Sequence, residues 1–214
     1  MTKPEPPARV AAVVLAAGES SRMGEPKALL AWPPSPWPHA TLLSHAVLSA
    51  LEAGYAPVVV VLGHDAETLR PYVPPGESVR VVVNARYAEG RATSIACGIA
   101  ALEGEAIDGV LVSSVDQPRS AELLRTLREA WEAARPRPPL AAPTYGGKTG
   151  HPPLFDAALL PELLRVSEER QGLREVTARH YAERLAVPSE DALATLNVNT
   201  PEDYERALRL AGAE

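Results

Sequence analysis

The sequence predicts an α/β protein with a mainly parallel sheet covered by helices on both faces. Three observations predict it. Continuous apolar runs of about four to eight residues, bounded by Gly, Asn, Asp or Pro, recur along the chain and read as buried strands. Segments with apolar residues at helical spacing lie between these runs. The two kinds alternate in order, and right-handed strand–helix–strand crossovers give parallel strands with helices on either side.

The strand runs are Val10–Leu15, Pro57–Leu62, Val79–Val83 and Gly109–Val115. Weaker ones lie near Leu140–Pro143, Glu183–Val187 and Leu193–Val198. The first helical stretch, Thr41–Ala53, puts Leu42, Leu43, Ala46, Val47, Ala50 and Leu51 on one side. In Ala92–Leu102 the stripe is Ile95, Ala96, Ile99 and Leu102; in Ala121–Ala134 it is Leu123, Leu124, Leu127 and Trp131. Ala157–Val166, Gly172–Tyr181 and Pro201–Leu210 complete the helices. The Pro-rich Ala31–His39 reads as a surface insertion in the first crossover, and "ARPRPPL" as a short extended connector. No internal repeat appears. Residues 1–214 read as one domain, with 144–184 expected to fold back as a lobe on the acceptor side of a site.

Composition narrows the function. Hydrophobic residues make up 46% of 214, enough for a full core, almost all of it Ala, Val and Leu beside a single Phe155. No apolar run approaches the ~18 residues of a membrane span. The start, "MTKPEPPARV", has no apolar core of a secretory signal, so a cytoplasmic protein is expected. The lone Cys97 excludes a disulfide framework and a cysteine zinc site, and reads as part of its helix's apolar face. A net charge of −6 argues against nucleic-acid binding through phosphates. It leaves room for a small polyphosphate gripped by local cations or a carboxylate-held metal.

In such sheets ligands sit beyond the carboxyl ends of the strands. The segments there are "AAGESSRMGEPK", "GHDAE", "NARYAEGRATS" and "DQPRS", all rich in Gly, Asn, Asp, Ser and Arg. The first fits neither common nucleotide motif. Gly18 and Gly24 are too far apart for G-x-G-x-x-G, and Lys27 stands three residues after Gly24 with Ala28 following, which breaks G-x-x-x-x-G-K-[ST]. What remains is a strand, a tight Gly turn, and backbone amides of Glu19, Ser20 and Ser21 that can form an anion-binding concavity. Arg22 and Lys27 then supply two cations able to grip different oxygens of a polyphosphate. The plain alternative is a Gly-Ser turn with solvated charges.

Asp116 ends a hydrophobic strand at the ligand edge, where one carboxylate plus phosphate oxygens can hold Mg²⁺. A helix-capping aspartate is the alternative. Asn84, Gly90, Arg91, Thr93 and Ser94 lead into a helix whose N-terminus can receive an anion or a base edge, or is simply capped by Thr93 or Ser94. Thr200-Pro201 with Glu202 and Asp203 is a strong helix start. Just before it, Asn197 and Asn199 end a strand, and an amide oxygen there could complete a magnesium shell opposite Asp116. "YGGKTGHPPLF" reads as a rigid exposed loop that could take an acceptor through Lys148, Gly150 and His151, or as a crossover turn. His64 and Asp65 read as a turn and helix start. No Ser-His-Asp pattern and no HExxH is present.

Taken together, these residues resemble the MobA-like nucleotidyltransferases. "VVLAAGESSRMGEPKALL" resembles their L-A-[AG]-G-x-S-x-R-[MF]-G-x-x-K opening, "GVLVSSVDQP" their D-Q-P strand end, and "NVNTPEDY" their N/D-x-[ND]-T-P-E-[DE] segment. "NARYAEGRATSIACGI" and "GHPPLF" look most like the molybdenum cofactor cytidylyltransferase branch. The resemblance implies a Rossmann-like three-layer α/β/α fold of the nucleotide-diphospho-sugar-transferase type. It also implies transfer of a nucleoside monophosphate from an NTP to a phosphorylated acceptor such as molybdopterin, with Mg²⁺ or Mn²⁺ and release of pyrophosphate. A molybdoenzyme or its chaperone is implied as a partner. The L-A-A-G opening favours CTP, since the guanylyl branch usually has L-A-G-G. Two departures stand out: Asn197 and Asn199 replace the D-x-D-T-P often seen in the cytidylyl branch, and the insertion at Trp32–Pro38 is not typical. Carried over, the roles put Arg22, Lys27 and Asp116 in catalysis and Asp116 with Asn199 on the metal. Leu15, Ala16, Ala17, Gly18, Ser20, Arg22, Lys27, Asn84, Gly90 and Ser94 take the nucleotide, and Lys148, Gly150 and His151 the acceptor. Rival readings are transfer to a sugar phosphate or other small phosphate, a guanylyltransferase, and a nucleotide-binding relative without turnover.

Overall fold

The computed structural model describes residues 7–19, 26–32 and 40–212. The chain enters the sheet with β1 (Val10–Ala16), in which every residue is buried. α1 (Leu42–Glu52) is next, started by a reciprocal cap in which the Ser44 amide donates to Thr41 Oγ1 and the Thr41 amide to Ser44 Oγ. Then come β2 (Val58–Leu62), the short α2 (Ala66–Leu69), β3 (Val79–Val83), α3 (Arg91–Ala100) and β4 (Gly109–Ser114). α4 (Ala121–Ala133) is capped by Ser120, which accepts from the Leu123 amide. The rest runs β5 (Leu140–Tyr145), β6 (Lys148–Thr149), β7 (Leu154–Asp156), α5 (Leu160–Leu163), α6 (Leu173–Arg179), β8 (Leu185–Pro188) and α7 (Pro201–Leu210).

The strands form one sheet in the order β3-β2-β1-β4-β7-β5-β6, with β8 pairing parallel to β5. β3, β2, β1 and β4 are mutually parallel. β7 is antiparallel to both β4 and β5, and β6 to β5. Side chains of β1 alternate between two cores, as the pleat requires. Val10, Ala12, Val14 and Ala16 meet Leu43 and Val47 of α1 and Leu124, Leu127 and Trp131 of α4. Ala11, Val13 and Leu15 meet Ile95 and Ile99 of α3, Leu163 of α5 and Val176 of α6. Each fully buried Leu, Ile or Val contributes about 1.5–3 kcal/mol, so these two layers dominate stability. This is the three-layer α/β/α architecture expected from the alternation.

A third, smaller core joins Leu30, Trp32 and Leu42 to Leu193, Leu196, Val198 and Ala207. It returns the last part of the chain to the first crossover, beside the end of β1.

Three expectations change. Leu193–Val198 is not a strand. Ala192–Thr195 is a 3₁₀ turn begun by Asp191, whose Oδ1 accepts from the Leu193 amide at 2.8 Å; Leu193 serves the third core and Ala194 the first. The helix expected over Ala157–Val166 is a 3₁₀ turn, Ala157–Leu159, followed by the four-residue α5 with Pro161 in its first turn. "YGGKTGHPPLF" is more ordered than a loop: Lys148–Thr149 closes a hairpin on β5, and Leu154–Asp156 is the antiparallel strand between β4 and β5. No described helix is long and apolar enough to cross a membrane.

Candidate active site

A cavity of about 420 Å³ opens at the carboxyl ends of β1, β2 and β4. The end of β1 supplies Leu15 to Glu19, the first crossover Lys27, the segment after β2 His64 and Asp65, the start of α3 Gly90, Arg91 and Ser94, and the end of β4 Ser114 to Asp116. The rim of β1 is pinned from both neighbours. The Val115 amide donates to Leu15 O at 3.1 Å and the His64 amide to Ala17 O at 3.2 Å. Alanine at 16 and 17 leaves the space that larger side chains would fill.

The start of α3 is built differently from its expected cap. Gly90 is the cap residue, at φ +117°, a region that favours glycine. No side chain of α3 caps it; the Ala92 amide donates instead to Glu168 Oε1, 2.6 Å away and 76 positions on. Asn84 is 5% exposed and does not line the cavity. Its Nδ2 donates to Thr93 Oγ1 and Ser94 Oγ at 2.8 and 2.9 Å, and its Oδ1 accepts from the Arg86 amide. Asn84 therefore holds the loop that presents Ser94.

Opposite α3, Lys27 Nζ lies 3.2 Å from Asn199 Oδ1. The Val198 amide donates to Asp116 O at 2.8 Å, so the Asn199 turn and the end of β4 are neighbours. Among the described residues, Asp116 Oδ1 is buried with no hydrogen-bond partner. A buried carboxylate oxygen without a donor calls for an unseen one or a cation. Among the described residues no three His, Cys, Asp or Glu side chains cluster as a metal cage. One carboxylate fits a hard divalent cation that takes its other ligands from phosphate and water.

The loop around Gly150, expected to take an acceptor, is clamped. Gly150 N donates to Pro143 O, and a Cβ at Gly150 would lie 2.2 Å from Ala194 O, so only glycine passes. The His151 amide donates to Ala194 O at 2.9 Å, and its carbonyl accepts from Arg119 Nε at 2.8 Å. Burial, then the charges of Arg119, Arg91 and Arg174, hold the His151 imidazole down at about 4 against the pull of Asp116. It is neutral at physiological pH and presents an exposed edge.

Residues 12–185 match the MobA-like NTP transferase domain. The chain belongs to this family. It is 27% identical over 195 residues to the molybdenum cofactor cytidylyltransferase of Escherichia coli K12, covering 90% of this chain and 92% of that one. It is 30% identical over 197 residues to a probable molybdenum cofactor guanylyltransferase of Rhodopirellula baltica, covering 89% and 88%. Rv0371c from Mycobacterium tuberculosis H37Rv superimposes with a TM-score of 0.74 at 28% identity, over 96% of this chain and 100% of that one. A second structure of Rv0371c is a complex with manganese, with a TM-score of 0.69 at 26% identity, over 94% and 98%.

The MobA-like cavity gathers Leu15, Ala16, Ala17, Gly18, Lys27, Gly90, Ser94 and Asp116 from four distant segments. Asn199 reaches it through Lys27. Lys148, Gly150 and His151 are not in its lining; Lys148 is exposed on β6. Ser20 and Arg22 lie outside the described residues. The sequence reading gave His64 and Asp65 no binding role, did not single out Tyr87, and named Arg91 only as part of a helix start able to receive an anion; all four line the cavity. The rule that ligands bind after strands pointed at their segments, but a turn and a helix start gave sufficient local reasons for those residues.

Proposed function

We propose that this nucleotidyltransferase transfers a nucleoside monophosphate, CMP from CTP, to the phosphate of molybdopterin and releases pyrophosphate. The observation that carries the reading is the meeting of Lys27 and the unpartnered Asp116 Oδ1 on one cavity beyond the sheet's carboxyl edge. The acceptor phosphate oxygen forms the new bond to the α-phosphorus as the bond to the departing pyrophosphate breaks. That oxygen is already ionised, so no strong general base is needed. Catalysis is positioning and charge neutralisation. Lys27 meets the α-phosphate, with Arg22 and Ser20 on the rest of the triphosphate. Leu15, Ala16, Ala17, Gly18, Gly90 and Ser94 take base and ribose, over a floor held by Asn84. Lys148, Gly150 and His151 face the acceptor, on the lobe formed by 144–184.

Mg²⁺ or Mn²⁺ would be held by Asp116, and by Asn199 once phosphate oxygens compete for Lys27; it would supply charge neutralisation on the phosphates. The product would pass to a molybdoenzyme or its chaperone. Asn197 and Asn199, in place of acids, favour a second reading in which GTP or a sugar phosphate is used. Thermal shift against CTP, GTP, ATP and UTP, each with Mg²⁺, tests the base, since stabilisation tracks affinity. Pyrophosphate release from CTP with molybdopterin tests the acceptor. Strongest stabilisation by CTP and release dependent on molybdopterin are expected; a preference for another NTP, or release only with a sugar phosphate, would overturn the specific reading.

A further inference from the structure

One arginine of this chain is held out of water. Arg119 is 2% exposed. Its Nε donates to His151 O at 2.8 Å, Nη1 to Pro118 O at 3.2 Å and Nη2 to Asn197 Oδ1 at 3.4 Å. None of these partners is a carboxylate. Burial lowers its pKa to about 10 against the charges of Asp191 and Asp116, so it stays a cation at neutral pH. The carboxylates of Asp191 and Asp116 act on it through space, but its hydrogen bonds among the described residues go to neutral acceptors; burying a charge this way is expensive for stability, and an apolar residue could fill the same volume. Stability therefore does not explain it.

Its three partners do. Pro118 lies two residues past Asp116 at the end of β4, His151 is in the acceptor loop, and Asn197 precedes the Asn199 that meets Lys27. These segments have no sheet pairing with one another at this point. Single backbone bonds, the Val198 amide to Asp116 O and the His151 amide to Ala194 O, link them in pairs; the guanidinium, a planar fork with donors in fixed directions, is one side chain that contacts all three.

We propose that Arg119 is a positioning residue that fixes Asp116, the His151 loop and the Asn197–Asn199 turn as one unit, so that the cation-holding and acceptor edges of the cavity keep register. The proposal rests on the reading of Asp116 as the cation-holding residue.

Arg119→Lys keeps the charge and loses the fork; Arg119→Met loses both. Leu127→Ala, in the core between α4 and the sheet, is the control for lost stability alone. Mn²⁺ affinity of the protein with CTP is measured by calorimetry, and steady-state kinetics separate the two substrates. Removing an outer residue that orients a metal ligand typically lowers metal affinity about 10–100-fold. About tenfold weaker Mn²⁺ binding is expected for Arg119→Lys, with a raised KM for molybdopterin and a KM for CTP within about twofold of wild type. Asn197→Ala should show the same pattern, smaller. Leu127→Ala should lower Tm and leave Mn²⁺ affinity intact. If Arg119→Lys matches Leu127→Ala, or if neither Arg119 variant folds and Asn197→Ala binds Mn²⁺ and acceptor normally, the proposal is overturned. Wild-type protein releasing no pyrophosphate would instead count against the functional reading, while the Mn²⁺ comparison still decides Arg119.

Discussion

The side proposed to take the nucleotide and the side proposed to take the acceptor are built by different means. From β1 to β4 the strands are parallel and deeply paired, and β1, β2 and β4 deliver cavity residues directly from their carboxyl ends. From β5 to β8 the strands have two to six residues, and three of the four make antiparallel pairs. There the site segments are held by single contacts: Gly150 against Ala194, Arg119 on His151, Asp191 on Leu193. A sheet edge fixes the nucleotide loop collectively, whereas point contacts fix the acceptor loop one by one. Substitutions should therefore separate the two sides.

Asp116→Ala should have the largest effect: metal-dependent turnover is abolished while Tm and far-UV circular dichroism stay near wild type. Turnover close to wild type would remove Asp116 from the site. Lys27→Ala should reduce kcat by about 10²–10³, the usual loss for one positioned charge-stabilising donor. A loss under tenfold would make Lys27 a surface residue. Gly150→Ala belongs to the other side. Its methyl meets Ala194 O, so it should lower stability by about 1–3 kcal/mol. The KM for acceptor should rise while the KM for CTP holds; parallel rises in both would deny that the sides are separable. Ala17→Gly should be milder, changing the ratio of kcat/KM for CTP to that for GTP by up to about tenfold. An unchanged ratio would take Ala17 out of base selection.

The last effect concerns pH. Burial lowers His45 from 6.5 to about 4, opposed by a hydrogen bond to the Arg119 backbone. Between those values the unfolded chain takes up a proton that the folded chain refuses, so stability falls as pH drops through that window. The fall from this residue is up to about 3 kcal/mol. His45→Gln should flatten the acid limb of a Tm–pH profile between pH 6.5 and 4; an identical limb would mean that another group sets it.

What could be read in the sequence respects the same division. β1 to β4 were legible because buried parallel strands are unbroken apolar runs, Asp116 because it stands just beyond such a run, and Lys27 because it closes the polar, Gly-rich segment that follows β1. β6 and β7 were not, since two or three residues show no period. The 192–195 turn has the apolar pattern of a strand, yet it pairs with no strand: Leu193 packs with Trp32 and Ala207 in the third core, and Ala194 in the first. Glu168 capping α3 is a contact across 76 positions that no local pattern marks. Arg119, one residue beyond "DQP", has the composition of a solvated charge, and only the fold reveals it buried.

The central claim is that Lys27 and Asp116 build one metal-dependent nucleotide site at the sheet edge. The most direct measurement is thermal shift of the wild type, Lys27→Ala and Asp116→Ala with CTP, with and without Mg²⁺. CTP should stabilise the wild type strongly only with Mg²⁺, and Asp116→Ala should lose that metal dependence. Equal Mg²⁺-dependent stabilisation of all three proteins would contradict the claim.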